Sequence, residues 1–440
     1  MAMSKTLINL RDKLSENIGD YLHSTVTTAL AASTNLVDTT LNKYTNSDNY
    51  FDRWYALITS ENNDGENRRV DSYTDSTNTA VVYGGNFTSD VAALATYELH
   101  RFNPDNKTRA INKASRDLYP WLFRSLTDYT LCSNNSLPNG HFEDWASASY
   151  PDKYSVTNAT ASASTTAGTY RGGTTSAKVT ASAANGYMSV SSNAYGQLLN
   201  LQDKTVTFKA WAYPETADDA TLVIYTVQAD GTEQTLTSTT SCPAGKWTLL
   251  ELEDQQLNDN LSEIQFRFKV ATNAKYVYFD NARGTGVSVY DYLLPTDFAE
   301  GKLLNVSIQM DSNMEDGCDD IRYGRYFPVF DWGIRTDGAN KWLVLDRAYG
   351  DSLSFQLQGY AQLEDNLSAD TDTVTIDDPY TNMLVAQSIV CLYEIESGGA
   401  SIDSKGAYYN EMLFWMGQVN GYKKRLSMTM PTMQATRSAR

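Results

Sequence analysis

Residues 263–270 read EIQFRFKV. Ile264, Phe266, Phe268 and Val270 fall on one side of an extended chain, and Glu263, Gln265, Arg267 and Lys269 on the other. A period of two is the mark of a half-buried β-strand, because successive side chains point to opposite faces. The same alternation continues outward. In KTVTFKAWAY (204–213), Val206, Phe208 and Ala210 share a face, and TLVIYTVQ (221–228), WTLLEL (247–252) and KYVYFD (275–280) add further strands. The Ser/Thr/Ala-rich stretch 156–186 still alternates Thr, Tyr, Val and Gly in a way that permits strands. Many short strands divided by turn signals predict a β-sandwich over about 135–288.

On either side the period changes. Leu7, Leu10, Leu14, Ile18 and Leu22 recur at helical steps, as do Ile111, Ala114, Leu118 and Leu122. Near the other end Leu384, Val385, Ile389, Leu392 and Ile395 make a third stripe, and Tyr409, Met412, Leu413, Met416 and Val419 a fourth, divided by Gly398 and Gly399. The last two predict an antiparallel helix pair. The expected fold is a multidomain α+β protein: a helical bundle built from the N- and C-terminal segments, with β insertions that include the sandwich. The expected divisions are 1–134, with a small β-domain at about 50–105; the sandwich 135–288; a β-rich segment 289–378; a helix pair 379–424; and an extended basic tail 425–440.

Composition narrows the function. The chain of 440 residues carries a net charge of −18, so its body is a poor general binder of nucleic acid. No apolar run approaches the length of a membrane span. The first residues, MAMSKTLINLRDKLSENIGD, lack a basic-then-apolar leader pattern, which predicts folding in a cytoplasm. Cys132, Cys242, Cys318 and Cys391 form no CxxC pair, and His23, His100 and His141 are the only histidines, so a zinc site or disulfide framework is not expected. There is no GxSxG, HExxH or P-loop, and no catalytic residue is assigned; the expectation is a protein that is not an enzyme. DSNMEDGCDDIR (311–322) resembles a calcium loop only superficially: Asp316 stands at the sixth position and Arg322 at the twelfth, so an acidic surface loop is expected.

LPNGHFEDW (137–145), GGTTSAKV (172–179), KAWAYP (209–214) and YVYFDNARG (276–284) together resemble the ordered motifs of jelly-roll carbohydrate-binding modules. The resemblance implies a structural calcium held by Glu143 and Asp280. The alternative is that Glu143 pairs with a surface cation and Asp280 caps a turn. It also implies sugar stacking on exposed rings, with Trp145, Trp211, Tyr213 and Tyr225 as candidates, or these rings simply pack the core.

The flanks carry a second resemblance. LINLRDKLSENIGDYLHS (7–24), AINKASRDLYPWLF (110–123), LVAQSIVCLYEI (384–395) and YYNEMLFWMGQVNGYKKRL (408–426) resemble the helices of head–tail connector proteins (adaptor or neck proteins) of tailed bacteriophages. That implies a structural virion protein at the head–tail junction, assembled in a host cytoplasm. It would be a homo-oligomeric, dodecameric ring contacting portal and tail proteins, with DNA passing an acidic channel without specific binding. The sandwich would then be outward decoration or a contact for host glycans. After Glu411 no acidic residue occurs, while Lys423, Lys424, Arg425, Arg437 and Arg440 follow. Such a tail either stays solvated or docks on an acidic neighbour, with Met428, Met430 and Met433 as anchors. The competing reading is a glycan-binding protein of the tail-fibre or adhesin kind, in which the sandwich is the working part. A glycosidase with an appended module is a third.

Overall fold

The computed structural model describes residues 4–429 apart from 21, 32, 90, 146, 239–240, 296–297, 299–301, 310–324, 339, 351–352 and 400–401. The acidic segment 311–322 lies outside the described residues. The chain divides into one unit made of 1–124 and 362–440, and another made of 125–361.

In the second unit, EIQFRFKV lies within strand Leu261–Val270 at the centre of a five-stranded antiparallel sheet. The strands of that sheet run in the order Glu233–Thr237, Ala220–Gln228, Leu261–Val270, Gly186–Ser191 and Tyr154–Thr157. A second five-stranded sheet has the order Ala159–Ser164, Ser176–Ala181, Tyr276–Thr285, Thr205–Pro214 and Thr248–Gln256. Apart from the hairpins Ala220–Gln228 with Glu233–Thr237 and Ala159–Ser164 with Ser176–Ala181, neighbours within each sheet are distant in sequence, the crossing pattern of a jelly-roll sandwich. Between the sheets Phe208 lies 5.0 Å from Phe266 and 5.3 Å from Phe268, and Phe268 lies 5.4 Å from Phe279 and from Phe142. Each ring so buried contributes roughly 1.5–3 kcal/mol, and its edge-on contacts about 0.5–1.5 kcal/mol more per pair.

Segment 137–145 forms no strand. It packs the fully buried Phe142 into the sandwich core, and the Gly140 carbonyl accepts from Ala282 N at 2.7 Å. A Cβ on Gly140 would lie 2.2 Å from the Ala282 oxygen, so the close backbone approach requires glycine. The same unit holds a four-stranded sheet that includes Lys302–Gln309 and Phe355–Ala361, and a three-stranded sheet of Asp291–Leu293, Asn340–Leu345 and Trp332–Asp337.

The first unit contains α1 (Leu7–Ile18), α2 (Pro104–Asp117), α3 (Asp378–Gly399) and α4 (Ile402–Thr429). Thr6 caps α1 by accepting from Asn9 N, and Gly19 closes it in the left-handed region. Asn103 and Pro104 start α2. Leu7, Leu10, Leu14, Ile111, Ala114, Leu384, Ile389 and Val419 share one hydrophobic cluster. A six-stranded sheet of Leu22–Thr25, Thr96–His100, Tyr55–Ile58, Asn67–Thr74, Thr79–Val82 and Asn35–Val37 has its own core around Phe51, Tyr73 and Tyr97.

The expectation of an architecture centred on a helical bundle is therefore corrected. Strands make up 39% and helices 22%, in several antiparallel sheets, and among the described residues the helical cluster is one hydrophobic core of four. The reason is length: the helical segments are few, while short strands fill both the middle of the chain and 22–100. The stripe expected on the last helix is also revised. Tyr408, Met412, Trp415, Val419, Tyr422 and Leu426 face the cluster, and Tyr409, Leu413 and Met416 are exposed. No described helix is long and apolar enough to cross a membrane.

Candidate functional site

In strand Tyr276–Thr285, Val277 and Phe279 are wholly buried in the sandwich, which turns Tyr276 and Tyr278 to the outer face. Register sets Tyr278 opposite Tyr213 on one neighbour and Lys178 on the other. Trp247 leads into the next strand, whose Thr248 pairs with Ala212. Four half-buried rings result. Tyr213 is 5.6 Å from Trp247 and 5.9 Å from Tyr278, and Tyr278 is 5.3 Å from Tyr276. The interplanar angles of 57°, 65° and 73° mean that none is stacked face to face. Lys178 Nζ sits 4.2 Å over the Tyr276 ring, at one end of the strip.

The loop between strands Ala159–Ser164 and Ser176–Ala181 walls the other end. The Trp247 indole N–H donates to the Gly168 carbonyl at 3.2 Å, and the Arg171 guanidinium lies 4.6 Å over Trp211. Two carboxylates fix this loop. Asp280 Oδ2 accepts from Arg171 N at 2.6 Å and Gly172 N at 2.9 Å. Glu143 Oε1 accepts from Thr174 N at 2.8 Å and Thr175 N at 3.0 Å, and its Oε2 from the Thr174 hydroxyl at 2.7 Å. Gly173 has φ +65°, and a Cβ there would lie 2.1 Å from Glu143 Oε1.

Glu143 and Asp280, expected as calcium ligands, are thus brought to one loop. Burial pushes the Asp280 carboxyl up to about 8, against the N–H donors that lower it, and the Glu143 charge adds to the rise. Asn281 Oδ1, buried beside them, makes no close hydrogen bond among the described residues and interacts with the His141 imidazole. Glu143, Asp280 once ionised by the metal's charge, and the Asn281 amide oxygen would supply the hard donors that calcium prefers, so the residues fit that ion in kind. Among the described residues no three His, Cys, Asp or Glu side chains converge, so main-chain oxygens would have to complete the coordination.

The aromatic candidates separate. Trp145 packs partly buried against the sandwich core, its indole N–H donating to the Phe142 carbonyl at 2.6 Å. Trp211 lies beneath Arg171. Tyr213 belongs to the strip. Tyr225 stands on the outer face of the other sheet, with the Arg267 guanidinium 3.8 Å over its ring. Trp247, Tyr276 and Tyr278 were not singled out from sequence, although Tyr276 and Tyr278 alternate with the buried Val277 and Phe279.

Lys423, Lys424 and Arg425 belong to α4, which continues to Thr429, rather than to an extended tail. Lys423 Nζ lies 5.8 Å over Trp121 and the Arg425 guanidinium 5.8 Å over Tyr422. Met428 is in the same helix; Met430, Met433, Arg437 and Arg440 lie outside the described residues.

No protein-family model matches the chain, and no curated protein matches it. Among solved structures, the CBM22-1 xylan-binding domain of Paenibacillus barcinonensis Xyn10C matches 37% of this chain and 96% of its own, at 13% identity and a TM-score of 0.28. The C-terminal family 22 carbohydrate-binding module of Clostridium thermocellum Xyn10B matches 36% of this chain and 94% of its own, at 15% identity and a TM-score of 0.28. The enzymatically active domain of bacteriophage CBA120 tailspike protein 4 matches 35% of this chain and 22% of its own, at 12% identity and a TM-score of 0.26. Scores this low carry no weight for function, and the jelly-roll assignment rests on the strand order described above. The connector resemblance of the flanks finds no counterpart among these three.

Proposed function

We propose that the sandwich is a glycan-binding module and that a sugar chain lies along Trp247, Tyr213, Tyr278 and Tyr276. One observation carries this reading: four half-buried rings form a continuous strip on an outer sheet face. Sugar rings present an apolar C–H face, which aromatic side chains cover without having to be deformed. The loop pinned by Glu143 and Asp280 holds one end of the strip in place, so little order has to be gained on binding. A calcium at Glu143 and Asp280 would brace that loop. Affinity electrophoresis and glycan-array binding of the full chain test the proposal. Trp247→Ala and Tyr278→Ala are each expected to weaken binding about tenfold. Binding that survives both substitutions, or a chain that retains no glycan, overturns it.

A second reading gives the first unit the role of an anchor in a phage particle, as a connector-like or tail-fibre subunit, with the sandwich displayed to host glycans. Its support is the outer stripe of α4, where Tyr409, Leu413 and Met416 are 55%, 47% and 42% exposed at helical spacing. Negative-stain microscopy and light scattering test it: rings support a connector-like subunit, trimers a fibre-like one, and a monomer that persists at high concentration overturns both.

A further inference from the structure

We infer that Arg267 anchors a second binding site, on the outer face of the other sheet, for a sugar that bears a carboxylate, such as a uronic acid. This rests on the sandwich being a glycan-binding module but not on the aromatic strip. Arg267 points outward from the central strand, between Val223 and Ser189 in register. Its diagonal neighbours are Tyr225 and Tyr187, within reach of long side chains. The guanidinium carbon lies 3.8 Å from the Tyr225 ring centre and 4.7 Å from that of Tyr187.

The group is also held along the strand. Arg267 Nε donates to Gln265 Oε1 at 2.7 Å, and Gln265 Nε2 donates to Glu263 Oε1 at 2.7 Å. The same Glu263 oxygen accepts from the Ser191 hydroxyl at 2.9 Å and Asn193 Nδ2 at 3.1 Å. The other nearby acid, Glu233, bonds to the Tyr225 hydroxyl and raises its pKa. Both carboxylates are therefore engaged elsewhere. The two terminal nitrogens of Arg267 make no hydrogen bond or ion pair with a described residue, and neither does the Lys269 ammonium two positions on. Arg267 and Lys269 thus present cationic donors that no described carboxylate contacts, on one strand of one sheet face.

A guanidinium fork pairs bidentately with a carboxylate. The two tyrosine rings have already fixed its orientation, so binding orders little more. The exposed Asn193 and the hydroxyl of the half-buried Tyr187 offer polar groups of the kind that sugar hydroxyls require. A stack that only covered the sheet would leave anion binding unchanged when its charge is removed.

Isothermal titration of the full chain with tetragalacturonate, and with its methyl ester, tests the site. The expected result is binding of the free acid, at least tenfold weaker binding of the ester, and a fall in affinity with added salt. Arg267→Gln is expected to lose tenfold or more, and Lys269→Gln, which leaves the tyrosine stack intact, to weaken binding by a smaller factor. Tyr276→Ala is expected to leave acid binding unchanged. Equal binding of acid and ester, no effect of either cation's removal, or no binding of the acid overturns the inference. Neutral-glycan binding that is lost in Trp247→Ala and kept in Arg267→Gln would show that the strip stands even if this site falls.

Discussion

Arg11 Nε and Glu98 Oε2 meet at 3.1 Å with side chains only 3% and 1% exposed. Arg11, on α1, also grips Asp370 at 2.7 Å, while Glu98, on a strand of the small sheet, takes His100 Nε2 at 2.7 Å. Lys107 of α2 donates to His100 Nδ1 at 2.9 Å and pairs with Asp20 at 2.9 Å. Since Lys107 can only donate, Nδ1 accepts, and Nε2 carries the proton given to Glu98. Burial, and after it the charge of Lys107, hold His100 below the ordinary histidine range. The network joins both terminal segments to the small sheet.

Burial alone would raise the Glu98 carboxyl, but hydrogen bonds from His100 and Arg11 and the charge of Arg11 bring it down to about 2. A depressed carboxylate stabilises above its unfolded pKa of about 4.3, and that contribution disappears as pH falls through the folded value. Stability against unfolding should thus fall as pH drops from about 4.5 through about 2, by up to about 3 kcal/mol in all. Glu98→Gln should cost about 3–5 kcal/mol at neutral pH, because it leaves Arg11 buried with half its charge balance. Chemical denaturation against pH measures both effects; an unchanged acid limb in the variant would contradict the assignment.

Phe268 touches Phe142, Phe208 and Phe279 at the centre of the sandwich. Phe268→Ala is expected to destabilise the second unit by about 3–5 kcal/mol, read by denaturant titration of tryptophan fluorescence.

Gly140→Ala is expected to cost about 1–3 kcal/mol despite adding one methyl group, since the Cβ meets backbone rather than a movable side chain. Gly168→Ala serves as comparison: its Cβ has open space, and only its φ of +87° is penalised. A smaller loss at Gly140 than at Gly168 would contradict the close approach.

Calcium binding at Glu143 and Asp280 predicts greater stability to unfolding in millimolar calcium, by about 2.7 kcal/mol at a hundredfold excess over Kd, read as a raised midpoint. Glu143→Gln should abolish the shift. Magnesium, which demands a tighter octahedral shell, should give less.

The sandwich was legible from EIQFRFKV because alternation fixes which residues lie inside before any partner strand is known. The last helix was not, because α4 is apolar on two faces: Tyr408, Met412 and Trp415 face the core, while Tyr409, Leu413 and Met416 repeat the same spacing one step round. Periodicity cannot choose between them. The weight of the helices in the fold was overestimated because helical stripes stand out in sequence, whereas three- and four-residue strands such as Asn35–Val37 and Leu22–Thr25 carry no pattern of their own. The aromatic strip depends on register between strands more than sixty residues apart in sequence, as Tyr213 meeting Tyr278 shows. Local motifs could offer Tyr213 but not its neighbours. Arg11 and Glu98, separated by 87 positions, were equally out of reach.

The Arg124 side chain donates to the Gln362 carbonyl at 3.3 Å, so the chain leaves the first unit and re-enters it at almost the same point. Such a junction behaves like a socket. Exchanging the 237 residues of 125–361 for another cassette would require of the newcomer that its ends lie close together. A lineage built this way would keep its mounting while turning over what it displays.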